Sequence, residues 1–278
     1  MDRLRSAGSL LPLVALVAIT APLILLYAWL PLAAFADEVR GLRPSGLTLD
    51  NFRELFQPVA GGSLAEASVR SLLLACGYSL LLLAAALPAA YALSRLPMPG
   101  RRAVLAALLA LHAFPFLSLL VGVYQVLREL GLYNSLLGVA LVKTATEVPL
   151  AVWVMKGFFD RIPWELEAAV LVDGGTRWLA FRRVCLPQAR PGILALLTFA
   201  FVSGWNEFLL PYIFLPSQQQ WTLPLFVRSL IADYRFVDYG VVAAASLVYV
   251  APPLLLFWAG QKYLLQTYAL SGGVRAAR

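Results

Sequence analysis

Any chemistry in this chain has to come from a few polar side chains set in apolar runs. Lys143 and Glu147 stand four residues apart in one such run, so on a helix they share a face. Ionisable groups are costly in lipid, and that face is expected to point into a helix bundle or a wet cavity. Trp205, Asn206 and Glu207 close a second run. An indole to stack on, with an amide and a carboxylate to hydrogen-bond, is a set of groups suited to holding a sugar. Both sets also fit the membrane–water interface, Lys143 with Glu147 as an outer ion pair and Trp205 with Glu207 as interfacial markers. The single histidine, His112, reads as a hydrogen-bonded packing residue of a third run. Covalent catalysis has no support: there is no G-x-x-x-x-G-K-[ST] phosphate loop, no H-E-x-x-H and no cysteine–histidine metal set.

The elements that position these residues follow from composition. The chain has 278 residues, 61% hydrophobic and 13% charged. A soluble domain carries about 25% charged residues, so this is a polytopic membrane protein, all-α in class. A span needs roughly 20 mostly apolar residues, and stretches near 10–35, 68–93, 103–126, 136–159, 192–214 and 240–264 qualify, giving six spans in one domain over 1–278. The first follows Arg3 and Arg5 like a signal peptide but is too long, and reads as a retained helix. Pro115 is expected to bend the third span, and Pro252-Pro253 to kink or open the sixth. With the N-terminus inside, 14 of the 22 basic residues fall on the cytoplasmic side, as the positive-inside rule asks. Topology thus accounts for the net charge of +7 without a nucleic-acid partner. Cys76 and Cys185 read as plain small residues.

Between the fourth and fifth spans lies the longest polar connection, 160–190. Pro163 suits the first position of a helix, and Glu165 and Glu167 fall in the first turn, at the positive end of its dipole. Asp173-Gly174-Gly175 should break that helix, with glycine free to take positive φ. Thr176 is the expected N-cap of a second short helix, Arg177 to Cys185, stopped by Pro187. On the outer side, Thr48 or Asp50 is expected to cap a short interfacial helix, and Trp221–Leu225 reads as a loop.

This connection resembles the cytoplasmic signature loop of ABC-importer permeases: an alanine-rich helix, Asp173-Gly174, nine residues, then Val184, Cys185, Leu186 and Pro187. One departure stands out. The family's Glu-Ala-Ala slot is filled by Ala168-Ala169-Val170, with Glu167 one place upstream, so Glu167 or Glu165 would supply the acidic contact. Other phrases are similar to those of carbohydrate-type, maltose-permease-like members. They include Thr48 to Phe56, the Ala90–Arg95 run into Gly100-Arg101-Arg102, Gly204 to Pro211, Trp221 to Leu225, and the tail around Ser271-Gly272-Gly273.

The resemblance implies a permease subunit of an ATP-binding-cassette importer that translocates a sugar inward. It implies a second homologous permease, an ATPase dimer that carries the ATP and Mg, and an extracytoplasmic binding protein. The chain itself would bind no cofactor, perform no catalysis, and sit in a bacterial or archaeal cytoplasmic membrane with both termini inside. Trp164, Glu165, Glu167, Ala168, Ala169, Asp173, Gly174, Leu186 and Pro187 would form the coupling element docked on the ATPase. Ser271, Gly272 and Gly273 would reach the ATPase dimer, and Lys143, Glu147, Trp205, Asn206 and Glu207 are the candidates for the substrate path. A secondary transporter or channel driven through Lys143, Glu147 and Glu207 is the competing class, disfavoured by the absence of inverted halves.

Overall fold

The computed structural model describes residues 3–57, 62–232 and 237–272, with side chains over 14–57, 62–232 and 237–259. The chain is helical almost throughout and divides into two compact units, Met1–Ala65 with Phe226–Pro252, and Glu66–Leu225 with Pro253–Arg278.

In the first unit α1 (Arg3–Ala34) is apolar over Val14–Ala34 and largely exposed there, with Ala33 and Ala34 buried at its end. Such a helix is stable only in lipid or against a partner. A small antiparallel hairpin follows, β1 (Glu38–Arg40) and β2 (Arg43–Ser45), pairing Val39 with Pro44. It was not expected; three-residue strands are too short to show alternation. Trp29 Nε1 donates to the Leu42 carbonyl and ties the hairpin to α1. The short helix α2 (Asp50–Leu55) forms, but its N-cap is Leu49, without a side-chain cap, and not the expected Thr48 or Asp50; the Thr48 hydroxyl one residue earlier accepts from the Asp50 amide at 3.1 Å. Buried Asn51 donates Nδ2 to the carbonyls of Ala34 and Ala36 at 3.0 and 2.8 Å. It thereby satisfies backbone acceptors that the end of α1 leaves orphaned.

The second unit is built on α3 (Leu64–Arg95) and α6 (Leu136–Asp160). Between them run α4 (Arg101–Ala113) and α5 (Leu120–Glu129). The third apolar stretch is therefore not one straight helix: its two halves meet at 88°. Pro115 is the cause, because a residue before proline is driven out of the helical region, and Phe114 is extended at ψ 132°. After α6 come α7 (Trp164–Val172), α8 (Arg177–Ala180), a wide π-turn over Phe181–Cys185, α9 (Leu186–Gln188) and α10 (Arg190–Trp205). Pro187 does not stop the helix as expected. The π-turn opens the ladder just where the proline ring would otherwise meet the preceding turn, and the chain bends by 74° only at Ala189.

The fifth apolar stretch is also interrupted. It ends as helix at Trp205 and resumes as α11 (Leu209–Phe214). Pro211 has no N–H to continue the ladder, and the Glu207 carboxylate accepts from the Leu210 amide at 3.1 Å instead. The expected loop at Trp221–Leu225 runs into a helix, α12 (Leu223–Leu230), whose first amide donates to buried Ser71. The last helix, α13 (Tyr239–Gly272), passes through Pro252-Pro253 without a break. Among the described residues, α1, α3, α6 and α13 are long and apolar enough to cross a membrane, with the two bent pairs as further candidates. The core packs α3, α6, α10 and α11 around Tyr78, Leu82, Met155 and Phe214. Gly204 lets α10 come close to α3: a Cβ there would lie 2.9 Å from the Ala75 backbone.

Candidate functional site

Two places gather polar chemistry, a helical elbow and a cleft between helices. The elbow begins with α7, whose N-terminus is set by Pro163 one residue before the helix. Its far end is a Schellman turn. The Gly174 amide donates to Leu171 O at 3.1 Å and the Gly175 amide to Val170 O at 2.8 Å. Gly174 takes φ +82°, as that turn requires. Thr176 then caps α8 by accepting from the Leu179 amide at 3.2 Å, as its type and position led one to expect.

The structure separates the two candidate glutamates. Glu165 is exposed and has no ion-pair partner among the described residues, whereas Glu167 is wholly buried. Tyr91 Oη donates to Glu167 Oε1 at 2.6 Å, and Arg177 Nη1 lies 3.4 Å from the same oxygen. Arg95 Nε sits 3.5 Å from Oε2, and Cys185 Sγ 3.8 Å. Arg95 also donates to the carbonyls of Phe159, at 2.7 Å, and Ile162. Glu167 is thus turned inward and is no surface contact, which corrects its expected place among the docking residues. The reason is tertiary: cations and a phenol from α3 and α8 compensate its charge. One signal was present, since Trp164, Val170 and Leu171 share its helix face and are all apolar.

The remaining elbow residues divide between the two faces. Trp164, Glu165, Leu166, Ala169, Val172 and Asp173 are exposed, with Val172 at 86%. Ala168 is half-buried, Leu186 packs on the core, and Pro187 is exposed. Arg177 lies 5.3 Å over the Trp164 ring and closes the elbow. Beneath it, Tyr91, Phe159 and Phe181 form an aromatic cluster with centroids 4.8 to 6.2 Å apart. In the tail, Ser271 and Gly272 are the last residues of α13, and their side chains, with Gly273, lie outside the described residues.

The cleft is about 770 Å³ and is lined by α4, α5, α6 and the α10–α11 break. It brings together Lys143, Glu147 and Glu207, with His112, Phe114 and Thr146. Lys143 does not pair chiefly with Glu147, four residues on. Its Nζ is 2.6 Å from Glu207 Oε2 and 4.0 Å from Glu147 Oε1, and it also sits 5.2 Å over the Tyr78 ring. His112 is exposed at this cleft and makes no hydrogen bond among the described residues, contrary to the packing role expected of it. Trp205 is buried at 3% exposure, stacked on Phe201 at 6.2 Å, and neither it nor exposed Asn206 lines the cleft. No group of His, Cys, Asp and Glu able to hold a metal occurs among the described residues.

Comparison with known proteins bears on the whole arrangement. Residues 82–264 match the family described as binding-protein-dependent transport system inner membrane component. The trehalose transport system permease protein SugB of Mycobacterium tuberculosis is 30% identical over 216 residues, 78% of each chain. The diacetylchitobiose uptake system permease protein DasC of Streptomyces coelicolor is 29% identical over 82% of this chain and 80% of its own. A chain of a bacterial ABC transporter involved in import of the acidic polysaccharide alginate has the same fold. Its TM-score is 0.76, with 94% of this chain and 97% of that one covered at 18% identity.

Proposed function

This chain belongs to the binding-protein-dependent transport system inner membrane component family, and on that footing we propose that it is one half of a sugar-translocating pore. It crosses a cytoplasmic membrane six times, through α1, α3, the bent α4–α5 pair, α6, α10 with α11, and α13. Both termini lie inside. A second permease completes the path, and an extracytoplasmic binding protein delivers the sugar. An ATPase dimer, which holds the nucleotide and Mg, powers the cycle, and the Ser271-Gly272-Gly273 tail reaches towards it.

The observation that carries this reading is the build of the elbow. The short helix α7 is tied from within by Glu167 yet leaves Leu166, Ala169 and Val172 bare outside. An exposed apolar face rimmed by Glu165 and Asp173 fits a docking surface for a soluble partner. ATP-driven closure of the ATPases would displace α7, and only a partner that contacts the two states differently can drive the change.

Within the membrane, the cleft at Lys143, Glu147 and Glu207 is the proposed sugar path through this subunit. Carboxylates accept hydrogen bonds from hydroxyls, and Phe114 and Phe116 bring aromatic surface to the same space. That the named relatives carry trehalose and diacetylchitobiose supports a sugar. Vesicles holding the chain with its partners test the class: uptake should need ATP and survive ionophores. Uptake without the ATPase, abolished by ionophores, would instead favour a secondary transporter running on Lys143, Glu147 and Glu207.

A further inference from the structure

Covalently, α7 connects to the membrane at two points, through Arg161–Pro163 to α6 and through the elbow and α8–α9 to α10. Both connections bend: the first lacks helical hydrogen bonding at Pro163, and the second turns by 74° at Ala189. The buried contacts of Glu167 follow a different route. They lead to Tyr91 and Arg95, on the last turns of α3, a helix that α4, α5 and α6 separate from the elbow along the chain. Arg95 extends the same set to the carbonyls of Phe159 and Ile162, and neighbouring Ser94 donates to Asp160 at 2.6 Å. Charged contacts out of water are stiff because the dielectric that would screen them is absent.

Midway along its length α3 comes to Lys143. Tyr78 lies thirteen residues before Tyr91, about 20 Å along the helix at 1.5 Å per residue. Its ring lies under Lys143, and Ala75 and Tyr78 are where Gly204 of α10 comes closest. One helix, with Pro88 inside it, therefore runs from the elbow to the Lys143–Glu207 pair.

We propose that Glu167 is a positioning residue: it fastens α7 to the cytoplasmic end of α3, so that displacement of α7 reaches the Lys143–Glu207 pair through α3. This rests on the permease reading above. It makes Glu167 different in kind from Glu165, which faces the partner. Proximity alone does not establish coupling, so the test must measure coupling itself.

The test uses the complete importer, purified through this chain and reconstituted with its ATPase and binding protein. Glu167→Gln keeps an acceptor for Tyr91 but removes the charge facing Arg95 and Arg177. The expected result is that the ATPase still co-purifies and hydrolyses ATP, while sugar imported per ATP falls about tenfold or more. Arg95→Gln should do the same, and the double variant should be no worse than either single one, because both break one connection. Glu165→Gln should instead weaken retention of the ATPase. Unchanged import per ATP in Glu167→Gln overturns the proposal. If that variant does not fold, spin labels at Leu171, off the docking face of α7, and Ala85 of the otherwise native chain decide. A separation that stays fixed between nucleotide-free and ATP-bound complexes supports one rigid body, and a change overturns it. A native chain that retains no ATPase removes the premise itself, a result distinct from either outcome.

Discussion

Tyr91 and Glu167, 76 residues apart in sequence, meet in a hydrogen bond of 2.6 Å at the base of the elbow. The contact turns a carboxylate expected on the surface inward, and it leaves Glu165 and the apolar face of α7 exposed.

That face can be tested by adding charge. Val172 is 86% exposed and touches nothing that holds the chain together. Val172→Asp should leave expression and unfolding temperature unchanged while weakening ATPase binding about ten- to a hundredfold, the equivalent of about 1.5–3 kcal/mol for one valine of buried surface. Retention of the ATPase on the tagged chain measures it.

The Schellman turn needs a left-handed residue. Gly174→Val would place a β-branched side chain at φ +82°, a strain of about 1–2 kcal/mol whatever space surrounds it. Insertion and assembly should survive, and import per ATP hydrolysed should drop. Full transport would sink the role given to the elbow.

Lys143 and Glu207 are buried partners, with side chains 6% and 14% exposed. Removing one leaves the other charge in a poor solvent. Lys143→Met should destabilise the chain in detergent by about 3–5 kcal/mol, and pairing it with Glu207→Gln should recover most of that loss. Thermal unfolding of the singles and the double measures the interaction.

At the short helix α2, the Asp50 carboxyl is held below the usual carboxylate range, first by the Thr48 hydroxyl and then by Arg53. A carboxylate with a depressed folded pKa contributes stability above its unfolded pKa and loses it as pH falls through the folded one. The advantage of the native chain over Asp50→Asn should therefore be present at neutral pH and vanish on acidification below the ordinary carboxylate range. An advantage that persists in acid would contradict it.

Cys185 is fully buried beside Glu167, so it should resist alkylation in the assembled chain. Glu167→Ala should expose it to a water-soluble maleimide. Mass spectrometry of the labelled peptide follows the change.

Local chemistry made part of this legible in advance. The start of α7, the glycine turn and the Thr176 cap follow from residue types within a few positions of one another, and apolar runs of span length need no partner to be recognised. What stayed hidden depends on distance in sequence. Nothing near Glu167 announces Tyr91 or Arg95, although the apolar neighbours on its helix face were a warning. Lys143 has an eye-catching partner four residues on, yet its strongest contact is Glu207, 64 residues away. The interruption after Trp205 depends on Pro211 together with the Glu207 cap, and the apolar run through it is otherwise continuous. Asn51 lies within the Thr48–Phe56 phrase, but its role in closing α1 depends on Ala34 and Ala36, fifteen and more residues away in sequence.

The most direct measurement is to tag the chain at its N-terminus, solubilise it gently from its own host and identify what stays bound. The account predicts an ABC ATPase and a second multi-span permease, both lost in Val172→Asp to the extent that the ATPase holds the assembly together. A lone chain or homodimer that still transports would contradict it.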